Sequence, residues 1–487
     1  MKHFLFATTR KIIRAVIYLM VGGLLALLTV FILYLEKRPD LNIWHEAELD
    51  AEFTTKSQVT DFRQYLELEE KLFQQLEERV YAKITLEDRH NLNRFNHGSM
   101  SDPTRWPRNW NRTFELTREF PKAGVLLLHG MSDSPYSLRS IGLSLHEAGA
   151  TVIGLRVPGH GTAPSGLVEM HWQDMAAAVK LAVNYLHKEI NGQPLYIIGY
   201  SNGSALAVHY ALSTLDDLQE PKPDGLVLVS PAIGVTPLAA LAVWQARLGH
   251  LLGLDKLAWN AIEVEYDPYK YNSFAVNAGD QVYRLTSEIQ KLLKQNMDAG
   301  RLQQLPPILA FQSIVDTTVS ASALVSGLFE KLPASGHELV FFDINRINEA
   351  ARFFNNDPKP YLDRMLYDKE LLYTLTLVAN ENGASRKVDF LRKEAGTNVV
   401  DAAPLDLAWP QGIHSLAHVS LPFRKSDPLY GANSSEENPG IHLGDVALQG
   451  ERGVLRVSAD AMLRLRWNPF YSYLEQRVQD FVGLQGH

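Results

Sequence analysis

The rhythm of apolar and polar positions changes three times along the chain. From Ala15 to Leu35 the sequence reads AVIYLMVGGLLALLTVFILYL without a charge, and about 21 residues rising ~1.5 Å each span the hydrocarbon core of a bilayer. Between Phe62 and Val80 the residues Phe62, Tyr65, Leu66, Leu72, Phe73, Leu76 and Val80 recur at helical spacing among Glu and Gln, which predicts an amphipathic helix packed on its own domain. From Ala123 short apolar runs alternate with helical stretches. Strands are predicted at Gly124–Leu128, Thr151–Arg156, Pro194–Tyr200, Gly225–Ser230, Ile308–Ser313 and Glu338–Phe342, after a first one at Arg112–Leu116. Helices are predicted at Ser137–Glu147, Gln173–Lys188 and Ser204–Leu215. This alternation is that of an α/β domain, a mostly parallel sheet with helices on both faces. Ligands of such sheets bind beyond the carboxyl ends of the strands.

The same pattern divides the chain. Residues 1–38 form a tail and a single N-terminal transmembrane helix, 39–111 a helical neck, and 112–487 the α/β domain. Two stretches interrupt that domain. Residues 232–305 carry Leu238, Leu241, Leu248, Leu251, Leu252, Leu254, Leu257 and Trp259, read as a helical cap over the site; the plainer alternative is a helical subdomain with no part in binding. Residues 344–413 make a second insertion, with a hairpin at Leu371–Ala379 and Arg386–Leu391 around Glu381-Asn382-Gly383.

Composition narrows the function. With 46% apolar residues in 487 there is material for a large core, and a net charge of −8 offers no basic field for nucleic acid. The absence of cysteine excludes thiolate metal sites and a cysteine nucleophile. The apolar N-terminal run exceeds the core of a signal peptide, and Glu36-Lys37-Arg38-Pro39-Asp40 offers no small-residue cleavage site, so an uncleaved anchor is expected. Lys2, Arg10, Lys11 and Arg14 precede the span, which places the N-terminus in the cytoplasm and the rest on the far side.

The candidate chemistry centres on Gly199-Tyr200-Ser201-Asn202-Gly203, which stands between an apolar strand and a helix. G-x-S-x-G in that setting is a nucleophile elbow, a strained turn that lifts one serine hydroxyl above the sheet. A serine needs a base within hydrogen-bond reach and an acid to orient the base, here in the chain order Ser, acid, His. Asp316, just past the strand Ile308–Ser313, is the expected acid, with Asp343 as the runner-up. His418 is favoured as base over His414, and His442 comes later again. The oxyanion hole calls for two backbone N–H groups, expected from Asn202 and from Met131 in the loop His129-Gly130-Met131-Ser132-Asp133-Ser134-Pro135. His129 is read as shaping that loop.

Three phrases in order, His129 to Pro135, Leu155-Arg156-Val157-Pro158-Gly159-His160-Gly161-Thr162 and Gly199 to Gly203, resemble the α/β-hydrolase superfamily. Within it the chain resembles the serine hydrolases that include carboxylesterases, monoacylglycerol lipases and serine-aminopeptidase-like proteins. The resemblance implies the triad Ser201, His418 and Asp316, an oxyanion hole at Met131 and Asn202, and an architectural His160. It also implies hydrolysis of a small-molecule acyl ester through an acyl-enzyme, with no cofactor and no metal. A hydrophobic acyl substrate suits an apolar cap above a membrane. A peptidase of the same fold and a non-catalytic membrane-tethered binding protein are the alternatives.

Overall fold

The computed structural model describes residues 2–217, 219–234, 254–349, 356–433, 438–444 and 464–484. Ten strands form one sheet, β1 (Phe114–Leu116), β2 (Ala123–Leu128), β3 (Ala150–Leu155), β4 (Leu195–Tyr200), β5 (Gly225–Val229), β8 (Ile308–Ser313), β9 (Glu338–Phe342), β10 (Thr374–Asn380), β11 (Lys387–Lys393) and β12 (Val400–Ala408). A separate short pair, β6 (Trp259–Ala261) and β7 (Phe274–Ala275), lies in the insertion. The sheet order is β1-β3-β2-β4-β5-β8-β9-β10-β11-β12. The strands from β3 to β10 in that order run parallel, while β1, β11 and β12 join antiparallel at the two sides.

Alternation along each strand explains why both faces are covered. Leu126 and Leu128 of β2 belong to one core cluster, whereas Val125 and Leu127 belong to the other, because successive side chains of a strand point to opposite faces. The first cluster packs beneath the helices Trp172–Glu189, Asn202–Ser213 and Val276–Asp298, and the second beneath Arg139–Glu147 and Tyr471–Val482.

The structure differs from the sequence reading in three places. The sheet does not end at β9. The stretch expected as a second insertion supplies β10, which pairs parallel to β9, and then β11 and β12. The latter part of the stretch expected as a cap, residues 232–305, holds the 23-residue helix Val276–Asp298, whose Leu285, Ile289 and Leu293 are buried in the main core. That helix is the crossover between the parallel neighbours β5 and β8, a connection that parallel pairing requires. Leu238, Leu241, Leu248, Leu251 and Leu252 lie outside the described residues. Finally, the expected neck is packed onto the domain. Phe62 and Tyr65 of the helix Phe62–Arg79 enter the main core, and Tyr65 Oη donates to the carbonyl of Arg156 at 2.5 Å.

The N-terminal helix, Lys2–Glu36, contains a 23-residue stretch from Arg14 to Glu36 that is long and apolar enough to cross a membrane and is unburied by the rest of the protein. Just beyond it, Arg38 donates from Nη1 to the carbonyl of Lys256 and from Nη2 to that of Trp259, both at 2.7 Å, while Lys256 Nζ returns bonds to the carbonyl of Arg38 and to Asp40.

Candidate active site

Ser201 sits at the carboxyl end of β4 with φ 54° and ψ −115°, a backbone conformation that costs on the order of 1–3 kcal/mol for a residue with a Cβ. The turn holds because its neighbours leave no room for any other course. A Cβ on Gly203 would lie 1.9 Å from the carbonyl oxygen of Leu128, and one on Gly199 would lie 2.4 Å from the amide of Ser204. The N–H of Ser201 donates to Val229 O at 2.9 Å, and its carbonyl accepts from Ala232 at 3.1 Å. Two bonds to the end of β5 and the segment just after it thus fix the strained residue.

The structure brings Ser201, His418 and Asp316 into one line. His418 Nε2 is 3.0 Å from Ser201 Oγ, and His418 Nδ1 is 2.8 Å from Asp316 Oδ2. All three are nearly enclosed, Ser201 at 9% exposure, Asp316 at 8% and His418 at 6%. Asp316 is held from its other side as well. Oδ1 accepts from the N–H groups of Thr318 (2.8 Å) and Val319 (3.1 Å), and Oδ2 accepts from Gln312 Nε2 at 3.1 Å. A carboxylate with that many donors has one orientation available, so it presents Oδ2 to the imidazole and favours the tautomer with a proton on Nδ1. The loop carrying His418 is itself tied down, since Ser313 Oγ donates to Leu416 O at 3.0 Å.

Asp343 and His414 stand apart from this line. Asp343 is clamped by both Nε and Nη2 of Arg346, and His414 is exposed, with its carbonyl accepting from Asn345.

Met131 and Asn202 flank the serine. Among the described residues neither backbone N–H has an acceptor. Asn202 opens the helix Asn202–Ser213, where the first amides are unpaired by construction of the helix. Met131 packs with Ala232, Val282 and Val319, so apolar side chains surround the approach to the serine.

The two histidines behind the loop are structural. His129 Nδ1 faces Gly130 O at 2.9 Å while Nε2 accepts from the N–H of Val157 at 3.0 Å, a pattern that only the neutral ring with its proton on Nδ1 satisfies. Burial pushes His129 well below its ordinary range and His160 down to about 4. Both rings therefore remain uncharged at neutral pH.

Two contributors were not foreseen from the sequence. Arg156, at the end of β3 and 1% exposed, is gripped by both oxygens of Glu52 and by Glu69, each pairing at 2.9 Å. Glu52 also accepts from the N–H of Gly159, so the N-terminal segment holds the turn that supports His129. Lys270 of the insertion pairs with Asp133 of the loop His129–Pro135 at 3.0 Å, and Tyr271 N–H donates to Ser132 O at 2.8 Å. The one signal in the sequence was for Arg156, a lone charge directly after an apolar strand. Among the described residues no three His, Asp or Glu side chains converge as metal ligands do.

Residues 119–343 match the family model for serine aminopeptidase, S33. A thermostable monoacylglycerol lipase from Bacillus sp. (strain H-257) is 30% identical over 119 residues, 24% of this chain and 44% of that protein. The match thus spans less than half the length of the curated relative. Among solved structures, one from the metagenome-derived lipolytic enzymes LipS and LipT aligns at TM-score 0.37 with 21% identity, over 54% of this chain and 97% of that one. The monoacylglycerol lipase of Paleococcus ferrophilus aligns at TM-score 0.36 with 21% identity, over 47% and 88%. The matched family segment runs from just before β2 to the end of β9 and so contains the sheet centre and the elbow, and the chain has the α/β-hydrolase fold, a mostly parallel sheet with helices on both faces.

Proposed function

We propose that the protein is a membrane-anchored serine hydrolase of carboxylic esters, with hydrophobic acyl esters as substrates. The observation that carries this reading is the line from Asp316 Oδ2 through His418 to Ser201 Oγ, with both hydrogen-bond distances at or below 3.0 Å. Ser201 attacks the ester carbonyl as His418 Nε2 takes its proton, and Asp316 stabilises the resulting imidazolium. The developing oxyanion is received by the N–H groups of Met131 and Asn202, which have no acceptor of their own. His418 returns the proton to the leaving alcohol, and water then resolves the acyl-enzyme by the same route in reverse. The apolar enclosure of Met131, Ala232, Val282 and Val319 supports an apolar acyl group. The long apolar helix supports a bilayer anchor, and the basic residues before it support a cytoplasmic N-terminus with the hydrolase on the far side.

A second reading has one support, the name of the matched family, which is that of an aminopeptidase. Binding a substrate ammonium calls for a free carboxylate at the site. Asp133 lies close to the serine, since both would crowd a Cβ on Gly130, its Oδ2 at 2.8 Å and Ser201 Cβ at 3.1 Å, but it is paired with Lys270. Rates on p-nitrophenyl acyl esters and on aminoacyl p-nitroanilides separate the two. Esterase activity is expected to dominate and to lengthen its preference toward apolar acyl chains; faster cleavage of the anilides would favour the peptidase.

A further inference from the structure

Away from Ser201, the turn that begins at Arg424 and the start of the helix Tyr471–Val482 border an open cavity of about 640 Å³. None of the serine-site residues lines it. Its walls carry Arg424, Lys425, Ser426, Tyr471 and Ser472, with Glu475 one turn further along.

The walls carry donors that have no acceptor among the described residues. Arg424 is only partly exposed, yet its guanidinium makes no ion pair or hydrogen bond among the described residues, and its Nε is buried without a partner. Its charge is balanced only at a distance, by the carboxyl of Glu475 on the opposite wall. Tyr471 is 4% exposed and its hydroxyl likewise has no partner; burial keeps that phenol protonated and therefore a donor. The helix has no side-chain cap. The N–H of Phe470 goes to Asn468 Oδ1 and that of Tyr471 to Asn468 O, which leaves Ser472 and Tyr473 N–H as the free positive end of a 12-residue helix. Lys425 adds a second cation, its Nζ 5.8 Å from the ring centre of Trp467.

The acids nearby are occupied. Glu475 is pushed up by burial, against which a bond to Ser144 and the charge of Arg424 act. Asp427 accepts from Arg139 and Tyr136, both at 2.9 Å. Beside the single carboxyl of Glu475, whose charged form burial disfavours, the cavity presents two cations, two hydroxyls, one orphaned phenol and a helix N-terminus, a combination suited to an anion with several acceptor oxygens.

We propose that this cavity is a binding site for a phosphate group, with room beside it for a remainder the size of glycerol. The phosphate has two chemical sources, a free phosphate ester or the headgroup of an anionic phospholipid. The site does not depend on the serine chemistry. It adjoins it, however, because Asp427 N–H bonds to Arg424 O and the Asp427 carboxylate holds Tyr136 in the loop that follows Met131.

The test uses the full-length protein in neutral detergent micelles at constant ionic strength, with thermal unfolding as the readout. One arm titrates glycerol 3-phosphate; the other dopes the micelles with phosphatidylglycerol, against phosphatidylcholine as control. A saturable rise in Tm is expected in at least one arm, and the responding arm assigns the source. Arg424→Gln is expected to weaken the apparent affinity at least tenfold and Tyr471→Phe at least threefold, with ester hydrolysis in the absence of the probe unchanged in both. If Arg424→Gln fails to fold, Tyr471→Phe, which removes a single oxygen, decides the matter. No saturable response to either probe, or a wild-type response in the folded variants, overturns the proposal.

Discussion

Glu52 grips Arg156 with both carboxylate oxygens, at 2.9 and 3.0 Å, across 104 residues of chain. Through that contact the segment between the apolar helix and β1 becomes part of the floor of the serine site, because Arg156 is followed by the turn whose Val157 and Gly159 bond to His129 and back to Glu52. Glu69 would still pair with Arg156 after loss of Glu52, so what is lost is the pair of charge-assisted hydrogen bonds, about 1.5–3 kcal/mol for a bond to a charged group. Glu52→Ala is therefore expected to lower the unfolding free energy by about 3 kcal/mol in denaturant titration. A loss below about 1 kcal/mol would mean that the N-terminal segment is an accessory rather than a part of the domain.

Glycine at position 203 is required by contact distance. The Cβ of Gly203→Ala would meet the carbonyl oxygen of Leu128 at 1.9 Å, and backbone cannot step aside as a side-chain end can. Overpacking of this kind costs about 3 kcal/mol or more. The control is Gly383→Ala, in a turn with nothing within 4 Å of the new methyl, where a change within about 0.5 kcal/mol is expected. Comparing the two melting curves checks the elbow geometry without any activity measurement.

Asp316→Asn keeps the shape of the acid but sets an amide against His418 Nδ1. The N–H groups of Thr318 and Val319 would hold the amide oxygen, leaving its NH2 toward the ring and favouring the wrong tautomer. The expected result is a fall of about 10⁴ in kcat with little change in Tm. A loss below tenfold would place the orienting acid elsewhere.

Buried histidines make stability depend on pH. Burial lowers His45, His160, His209 and His337 to about 4 from an ordinary 6.5. A depressed folded pKa means that the unfolded chain binds more protons, so stability is complete above pH 6.5 and is lost as pH falls toward 4. Glu265 acts in the opposite sense: burial raises it to about 7, and its contribution is lost as pH rises from its ordinary 4.5. His129 adds to the histidine side, while Glu263, Asp267, Asp343 and Glu475 are also pushed up by burial, so the histidine contribution is read one residue at a time. His160→Asn is expected to lower the slope of stability against pH by about one proton, measured by denaturation at a series of pH values. An unchanged slope would contradict the neutral, buried assignment of His160.

The central strands were legible because a strand buried on both faces must be apolar throughout, and Ala123–Leu128 or Ile308–Ser313 can hardly be read otherwise. Gln312, the polar residue within β8, is the exception that bonds Asp316. The crossover helix Val276–Asp298 was hidden because its buried face includes Asp280, Gln281, Thr286 and Asn296, which blunt the apolar stripe. β12 was hidden for a different reason. It is an edge strand containing Pro404, Asp401 and Asp406, residues that protect an edge and erase the strand pattern. The order of serine, acid and histidine could be read along the chain, since each follows a recognisable strand or apolar phrase. Pairs such as Glu52 with Arg156 and Lys270 with Asp133 could not, because they join residues more than 100 apart whose charges look like any solvated charge in one dimension.

The most direct measurement is the site of covalent labelling by a fluorophosphonate in the full-length protein. Peptide mass spectrometry is expected to find a single adduct on Ser201, absent from Ser201→Ala and strongly slowed in His418→Ala. An adduct on another residue, or labelling that persists in Ser201→Ala, would contradict the account.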